Sequence, residues 1–266
     1  MSEPLSIAVF GHTGRMGAML AARLRAAGHE VRGVDLARPV GHDMETVPLF
    51  LDRNACVDAM RDAAVVLLCV PVSAYQEVLR VLQPLLRPTQ LLMDIGSVKT
   101  LPLQWMEAVH QGPTVGTHPL FGPNPVASEN PTAALVPGKR AAEADLDKVR
   151  ALFQAAGFAT FTTTAEEHDR AVAYVQCLNF MTSAAYFAVV PHSEAVTPFL
   201  TPSFRRRLAE QRKLLTEDAP MFRVFTEANP LMGEVLDHFR AMLREAESGG
   251  LERLTAQAAG WYREKY

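Results

Sequence analysis

Cysteine is scarce in this sequence, with three in 266 residues. Cys56, Cys69 and Cys177 lie far apart and outside any C-x-x-C spacing, so neither a disulfide framework nor a zinc site is expected, and no other metal cluster is suggested. An excess of charge is also missing. Twenty-six basic residues face 29 acidic ones, for a net charge of -3 and a pI near 6.2. That balance offers no electrostatic footprint for nucleic acid or an anionic membrane, and both are excluded as expected partners. The opening Met-Ser-Glu-Pro carries no basic and apolar export signal, so a reducing cytoplasm is the expected compartment. Long uninterrupted apolar runs are absent too. The nearest approach, Ala171 to Val190, is broken by Gln176, Asn179, Thr182 and Ser183 on more than one helical face. It is expected to be a helix buried in a soluble core or a dimer rather than a membrane span. No fixed-period repeat occurs, and no additional βαββαβ segment follows, so a feedback module is not expected within these residues.

What is present is 48% hydrophobic residues in a chain long enough for two compact domains. From Leu5 to Thr117, short β-rich runs alternate with helical patterns, the signature of a parallel sheet with crossover helices. Strands are expected at Ser6–Phe10, Glu30–Val34, Val65–Val70, Gln90–Asp94 and Thr114–Gly116. A helix at Met16–Ala27 is closed by Gly28. Beyond the breaker-rich loop at Pro125–Pro131, strands at Ala133–Val136 and Phe158–Thr163 flank a helix at Glu143–Ala156 and extend the sheet. Helical periods then take over at Glu166–Val190, Phe204–Thr216, Asn229–Ser248 and Leu251–Arg263. The expected fold is α/β: an N-terminal Rossmann-type doubly wound sheet over 1–165, followed by an all-helical C-terminal domain over 166–266 for substrate binding and dimerisation.

Between the first strand and helix lies F-G-H-T-G-R-M-G, where backbone amides and a helix N-terminus can hold a pyrophosphate. In the G-x-G-x-x-G frame, the three glycine positions are occupied by His12, Gly14 and Gly17. Gly11 is therefore expected to supply the tight turn, with Thr13, Arg15 and Met16 completing the contact. Asp35 ends the second strand eighteen residues after Gly17, where a carboxylate binds the adenosine ribose and repels a 2′-phosphate, which favours NAD over NADP. Arg38, three residues on, has the charge to bind that phosphate instead. Val70, Pro71 and Ser73 follow a further strand and are expected to offer backbone contacts to the nicotinamide half. The alternative for Ser73 is a helix cap.

Two segments at the same sheet edge carry polar chemistry, residues 94–99 (D-I-G-S-V-K) and 116–123 (G-T-H-P-L-F-G-P). His118, in a loop at a strand's carboxyl end, is placed to take a proton near the nicotinamide, with an unperturbed pKa suited to a base. Ser97 reads equally as a substrate contact or as the cap of a helix starting at Val98. With residues 167–178 (E-H-D-R-A-V-A-Y-V-Q-C-L), the three motifs resemble the prephenate dehydrogenase family, in its order, from Ile7 to Ala185 and more weakly to Phe222.

The resemblance implies oxidative decarboxylation of prephenate to 4-hydroxyphenylpyruvate with hydride transfer to NAD, in tyrosine biosynthesis, by a homodimer. It also implies that His118 is the base and that the Ser97 hydroxyl hydrogen-bonds both substrate and base. Residues 201–218 resemble the family's substrate-binding helix, with Lys213 where an Arg is expected, Arg212 beside it and Arg205 eight residues before Lys213. Phe180 stands where family members commonly place a substrate-contacting His, flanked by Gln176 and Asn179, which keeps arogenate and 4-amino-4-deoxyprephenate open as substrates. Glu166–Asp169 are read mainly as charge and capping for their own helix, with a direct role for His168 secondary. A β-hydroxyacid dehydrogenase or imine reductase is disfavoured because Glu166–Val190 contains no Lys. Dihydrodipicolinate reductase shares the Gly-Arg-Met-Gly turn, but its His-His and Lys motif has no counterpart. A non-catalytic dinucleotide sensor is the remaining alternative.

Overall fold

A computed structural model describes residues 3–37, 50–126, 128, 130–191 and 193–264. Arg38 lies outside the described residues. The chain divides into two compact units, Met1–Asp169 and Arg170–Tyr266.

The first unit begins with β1 (Ser6–Phe10), α1 (Arg15–Ala26), β2 (Glu30–Val34), β3 (Leu36–Ala37), β4 (Phe50–Leu51) and α2 (Arg53–Met60). It continues through β5 (Val65–Leu68), α3 (Tyr75–Leu82), β6 (Leu91–Asp94), α4 (Thr100–Val109) and β7 (Thr114–Pro119). It closes with β8 (Thr132–Pro137), α5 (Glu143–Ala155), β9 (Ala159–Thr162) and the start of α6 (Ala165–Val172). Seven strands form one sheet in the order β2-β1-β5-β6-β7-β8-β9, while β3 and β4 form a separate pair. Strands β2, β1, β5, β6 and β7 are mutually parallel, β8 pairs antiparallel with β7, and β9 is parallel to β8. The carboxyl ends of the five parallel strands therefore share one edge. The chain order reverses between β1 and β5, the switch point where such sheets open a ligand crevice.

Central strands covered on both faces need continuous apolar runs, and β1, β5 and β6 supply them: Ile7, Val9, Val65, Leu67, Leu91 and Met93 are buried in one core with Leu20 and Leu24 of α1. Val149, Leu152 and Phe153 of α5 join that core, and the Arg23 guanidinium stacks 4.7 Å over the Phe158 ring while donating to the Ala156 carbonyl.

The second unit has helices and no strand among its described residues: the rest of α6, a π-helical turn at Ala173–Leu178, α7 (Asn179–Val189), α8 (Pro202–Thr216), α9 (Ala219–Ala228), α10 (Met232–Glu247) and α11 (Leu251–Glu264), with α7 and α8 joined by a loop that holds a short 3₁₀ helix at Thr197–Phe199. Three expectations need correction. First, β7 runs to Pro119, so His118 stands in a strand rather than a loop, because β8 pairs antiparallel with residues 115–119 and holds them extended. Second, α9 was not expected; its Pro220 sits in the first turn, where a missing N–H is harmless. Third, the helix spanning Ala165–Val189 is long and apolar enough to cross a membrane, but only 22% of its apolar window is buried within this chain. Val175 and Val189 are 69% and 80% exposed, so of the two settings expected for this helix, a soluble core or a dimer, the core of this chain alone is ruled out.

Candidate active site

The glycine turn is shaped by close backbone approach. Gly11 adopts φ +86°, and a Cβ there would lie 2.7 Å from the Cys69 carbonyl oxygen at the end of β5. A Cβ on Gly17 would lie 2.1 Å from the Gly11 carbonyl oxygen, so α1 can enter this close to the turn only with glycine there. Helix α1 starts after Gly14 with no side-chain cap and no acid in its first turn, and Thr13, Gly14 and Arg15 are exposed. Such an uncapped amino end, reached over glycine, fits a phosphate group. His12, which occupies a glycine position of the usual frame, turns its ring over Gly33 of β2, where a Cβ would meet the ring at 2.2 Å. The absence of a side chain at Gly33 therefore makes room for the imidazole. Asp35 accepts from the Thr13 backbone N–H at 2.9 Å and from the Thr13 hydroxyl. Val70, Pro71 and Ser73 follow β5 at the same edge; Ser73 caps nothing, since α3 begins at Tyr75 after a short 3₁₀ turn.

At the ends of β6 and β7 lies a buried polar cluster. Lys99 and Asp94 are both fully buried and paired, with Lys99 Nζ 2.7 and 2.6 Å from the two Asp94 carboxylate oxygens. The same ammonium donates at 2.7 Å to the carbonyl of Thr117, the residue before His118. Asp94 also accepts from the Tyr75 hydroxyl at 2.8 Å, the Gly96 N–H at 2.9 Å and the Thr117 N–H at 3.2 Å. Burial lowers the Lys99 pKa, opposed by the Asp94 charge and hydrogen bonds and by Asp169. Burial, followed by the Asp94 charge, pushes the Tyr75 phenol far above its ordinary value, so it stays a neutral donor. Two glycines make room here: a Cβ at Gly96 would stand 2.8 Å from the Tyr75 hydroxyl, which would have to shift, and one at Gly116 would stand 3.0 Å from Lys99 Cδ, a tight contact.

His118, 4% exposed, hydrogen-bonds through Nδ1 to Nε2 of His168 at 2.9 Å. His168 Nδ1 in turn meets the Asp169 carboxylate at 2.8 Å. Asp169 accepts from the Lys99 and Thr100 backbone N–H groups at 2.7 and 2.8 Å, which caps α4 from a distance of 70 residues in sequence. The expectation that His168 and Asp169 mainly serve their own helix is thus corrected: Glu167, bonded to Thr163 and Thr164, does that. Burial, then His168 and Lys99, hold the His118 pKa well below the usual histidine value, so its ring is neutral at pH 7. Burial works against the Asp169 carboxylate, but the hydrogen bonds from His168, Thr100 and Lys99 outweigh it and keep its pKa below the ordinary value. Ser97, half buried, has no hydrogen bond to His118, whose ring partner is His168. Nor does Ser97 cap a helix at Val98, because α4 starts at Thr100 under Asp169.

Residues 20–160, which include Asp94, Lys99 and His118 but neither the glycine turn nor His168 and Asp169, match the family model for the nucleotide-binding domain of prephenate dehydrogenase. The chain belongs to the prephenate dehydrogenase family. It is 27% identical over 227 residues to the T-protein of Haemophilus influenzae, covering 83% of this chain and 55% of that protein, so the chain spans about half the length of that relative. In solved structures, it resembles the prephenate dehydrogenase of A. aeolicus in complex with hydroxyphenyl propionate and NAD+, with a TM-score of 0.71, 18% identity and 99% of each chain covered. It also resembles Synechocystis arogenate dehydrogenase, with a TM-score of 0.64, 22% identity, and 98% of this chain and 99% of the other covered.

The family resemblance points to further positions, all in the second unit. Gln176 lies in the π-helical turn, an irregularity that often marks functional helices, and Asn179 follows it exposed on α7. Phe180 stacks on Phe222 of α9 with centroids 5.6 Å apart, and Phe222 stacks on Phe225. Arg205 and Arg212 are exposed on α8, seven residues apart and hence on one face. Lys213 is held 2.9 Å from Asp218, whose backbone N–H also bonds to the Lys213 carbonyl at the end of α8.

Proposed function

We propose that this chain is an NAD-dependent dehydrogenase that converts prephenate to 4-hydroxyphenylpyruvate and carbon dioxide. The observation that carries this reading is His118, a buried neutral imidazole on the carboxyl edge of the sheet whose switch point carries the glycine cradle. The turn from Gly11 to Gly17, with the uncapped start of α1, is suited to a pyrophosphate, and Asp35 to a ribose. NAD, when bound, supplies the hydride acceptor. His118 Nε2 removes the ring hydroxyl proton, the Ser97 hydroxyl orients that oxygen, and burial keeps water from the imidazole. Arg205 and Arg212 are the cations proposed for the substrate carboxylates, because a planar guanidinium binds a carboxylate in two places; Lys213 is already committed to Asp218.

The deciding measurement is absorbance at 340 nm with purified protein, NAD and prephenate, alongside arogenate, 4-amino-4-deoxyprephenate and NADP. Turnover of prephenate with NAD is expected, and none with any of these substrates would overturn the reading. Arogenate is the second reading: Phe180 replaces an imidazole with an aromatic cluster, which changes how a side chain at that position meets substrate.

Two cofactor predictions follow from the cradle. Asp35→Ser removes the carboxylate that repels a 2′-phosphate, and the ratio of kcat/KM for NADP over NAD is expected to rise about tenfold or more, equivalent to ~1.4 kcal/mol. An unchanged ratio would remove Asp35 from cofactor selection. Gly17→Ala forces a Cβ against the Gly11 carbonyl oxygen, an overpacking worth about 1–3 kcal/mol, and should weaken NAD binding in titration calorimetry. Wild-type affinity would refute the cradle.

We infer a cytoplasmic homodimer, without a nucleic-acid or membrane partner. The exposed apolar side chains Val175, Tyr186 and Val189 on the long helix need cover, and the charge balance favours neither polyanions nor anionic lipid. Light scattering at micromolar concentration is expected to give twice the chain mass; a monomer would remove the dimer.

A further inference from the structure

With Asp169 ionised and His168 neutral, the chain of contacts from His118 to His168, Asp169 and the start of α4 is satisfied by one arrangement of protons. An ionised Asp169 carboxylate is an acceptor only, so His168 Nδ1, 2.8 Å away, carries a hydrogen. In a neutral His168 the other nitrogen, Nε2, is then a lone pair, and the hydrogen bond of 2.9 Å to His118 must be donated by His118 Nδ1. That leaves the lone pair of His118 on Nε2.

We propose that His168 and Asp169 are positioning residues for the base, fixing His118 in its Nδ1–H tautomer and sharing the positive charge that proton uptake creates. The proposal rests on the reading of His118 as the base. As His118 Nε2 takes the substrate proton, the Nδ1 hydrogen can shift toward His168 Nε2 and the His168 Nδ1 hydrogen toward Asp169. No atom is lost, and the charge of the triad goes from -1 to 0. This answers a difficulty at the site. An imidazole so deeply buried resists protonation, which suits its resting state but not its task. A carboxylate two hydrogen bonds away is the counter-charge that makes the charged form accessible. Of the other charged groups, Lys99 opposes protonation of His118 although it is paired with Asp94, and Asp169 is the carboxylate to which the ring is hydrogen-bonded through His168. The backbone of Lys99 and Thr100 fixes the carboxylate from the far side, so its orientation is set by a helix end rather than by the flexible side chain alone.

Asp169→Asn tests this. An amide has one acceptor where the site needs two: its NH₂ must oppose either the Thr100 N–H, or the Lys99 N–H together with the hydrogen on His168 Nδ1. When the NH₂ faces His168, the hydrogens along the relay reverse, and His118 carries its proton on Nε2. The first readout is the ¹⁵N spectrum of histidine-labelled protein at pH 7.5, with His118 assigned from the His118→Gln spectrum. The wild type is expected to show a protonated Nδ1 and an unprotonated Nε2 on His118, and Asp169→Asn a mixed or reversed pattern. A wild-type His118 protonated on Nε2, or a variant with the wild-type pattern, overturns the proposal. The second readout is kinetic: kcat should fall about 100-fold or more with little change in the KM for NAD. The acid limb of kcat/KM should move to lower pH, since the relay from His118 then ends on a neutral amide instead of a carboxylate. A lower kcat with an unmoved limb would mark a merely structural role and overturn the charge sharing. The spectra need no substrate, so a failure of prephenate as substrate and a failure of the relay are separate results.

Discussion

His118→Asn is expected to leave a protein that folds and binds NAD with wild-type affinity while kcat with prephenate falls by about 10³–10⁴-fold, the upper range for removal of a general base. The amide has neither a lone pair basic enough to take the hydroxyl proton nor a ring to continue the hydrogen bond to His168. The pH dependence gives an independent signature. Because burial depresses the His118 pKa, the proposed base is already largely unprotonated at pH 6.5, and kcat/KM should stay level from pH 8 to below the ordinary histidine value before it falls. Stability follows the same sign. The unfolded chain takes up a proton below about pH 6.5 that the folded chain refuses, so this contribution is present above that pH and is lost as the pH falls toward the folded pKa. Urea titrations between pH 7.5 and 5.5 should therefore show a steeper decline for the wild type than for His118→Asn. Turnover within tenfold of wild type would show that His118 is not the base, and unaltered NAD binding is what separates loss of chemistry from loss of fold.

How much of this was legible in the sequence depended on the distance over which each feature is encoded. The glycine turn was readable because strand, turn, helix N-terminus and Asp35 fall within thirty residues and each obeys a local rule. The parallel strands were readable for the same reason, as short apolar runs with helical periods between them. Strand β7 was cut three residues short because its extension is imposed by β8, a partner beyond the intervening breaker-rich loop. The role of His168 and Asp169 was hidden by a sequence separation of 50 to 70 residues. On their own helix they look like a first-turn charge pattern, and only the fold carries them to His118 and the start of α4. In the D-I-G-S-V-K motif, Ser97 drew attention as the reactive-looking group. The structure places the strongest interactions on its first and last residues instead, with Gly96 sized for the Tyr75 hydroxyl. A signal was present, since an Asp and a Lys five residues apart between a strand and a helix can fold back on each other, but sequence alone does not say that both are fully buried.

That pair yields the largest expected effect on stability. Lys99→Met should destabilise the first unit by about 3–5 kcal/mol in urea denaturation, the range for removing one partner of a buried ion pair. Methionine has nearly the length of the lysine stem, so packing against Gly116 survives, and the loss comes from the charge left behind. Asp94 would keep its donors Tyr75, Gly96 and Thr117, which solvate it in part, but its counter-charge and its shortest contact would be gone. The Thr117 carbonyl would lose its donor at the same time, loosening the peptide that leads into His118. Asp94→Asn/Lys99→Met removes both charges and leaves no uncompensated ion, so the double variant should be more stable than Lys99→Met alone. The comparison separates two views of the motif. If the double variant recovers stability and also turnover, the pair is a structural clamp on the ends of β6 and β7. If it recovers stability with turnover still low, the charges of the pair also serve the chemistry proposed for His118. A Lys99→Met protein as stable as the wild type would mean that the pair is not buried as described, and the account of this sheet edge would fall with it.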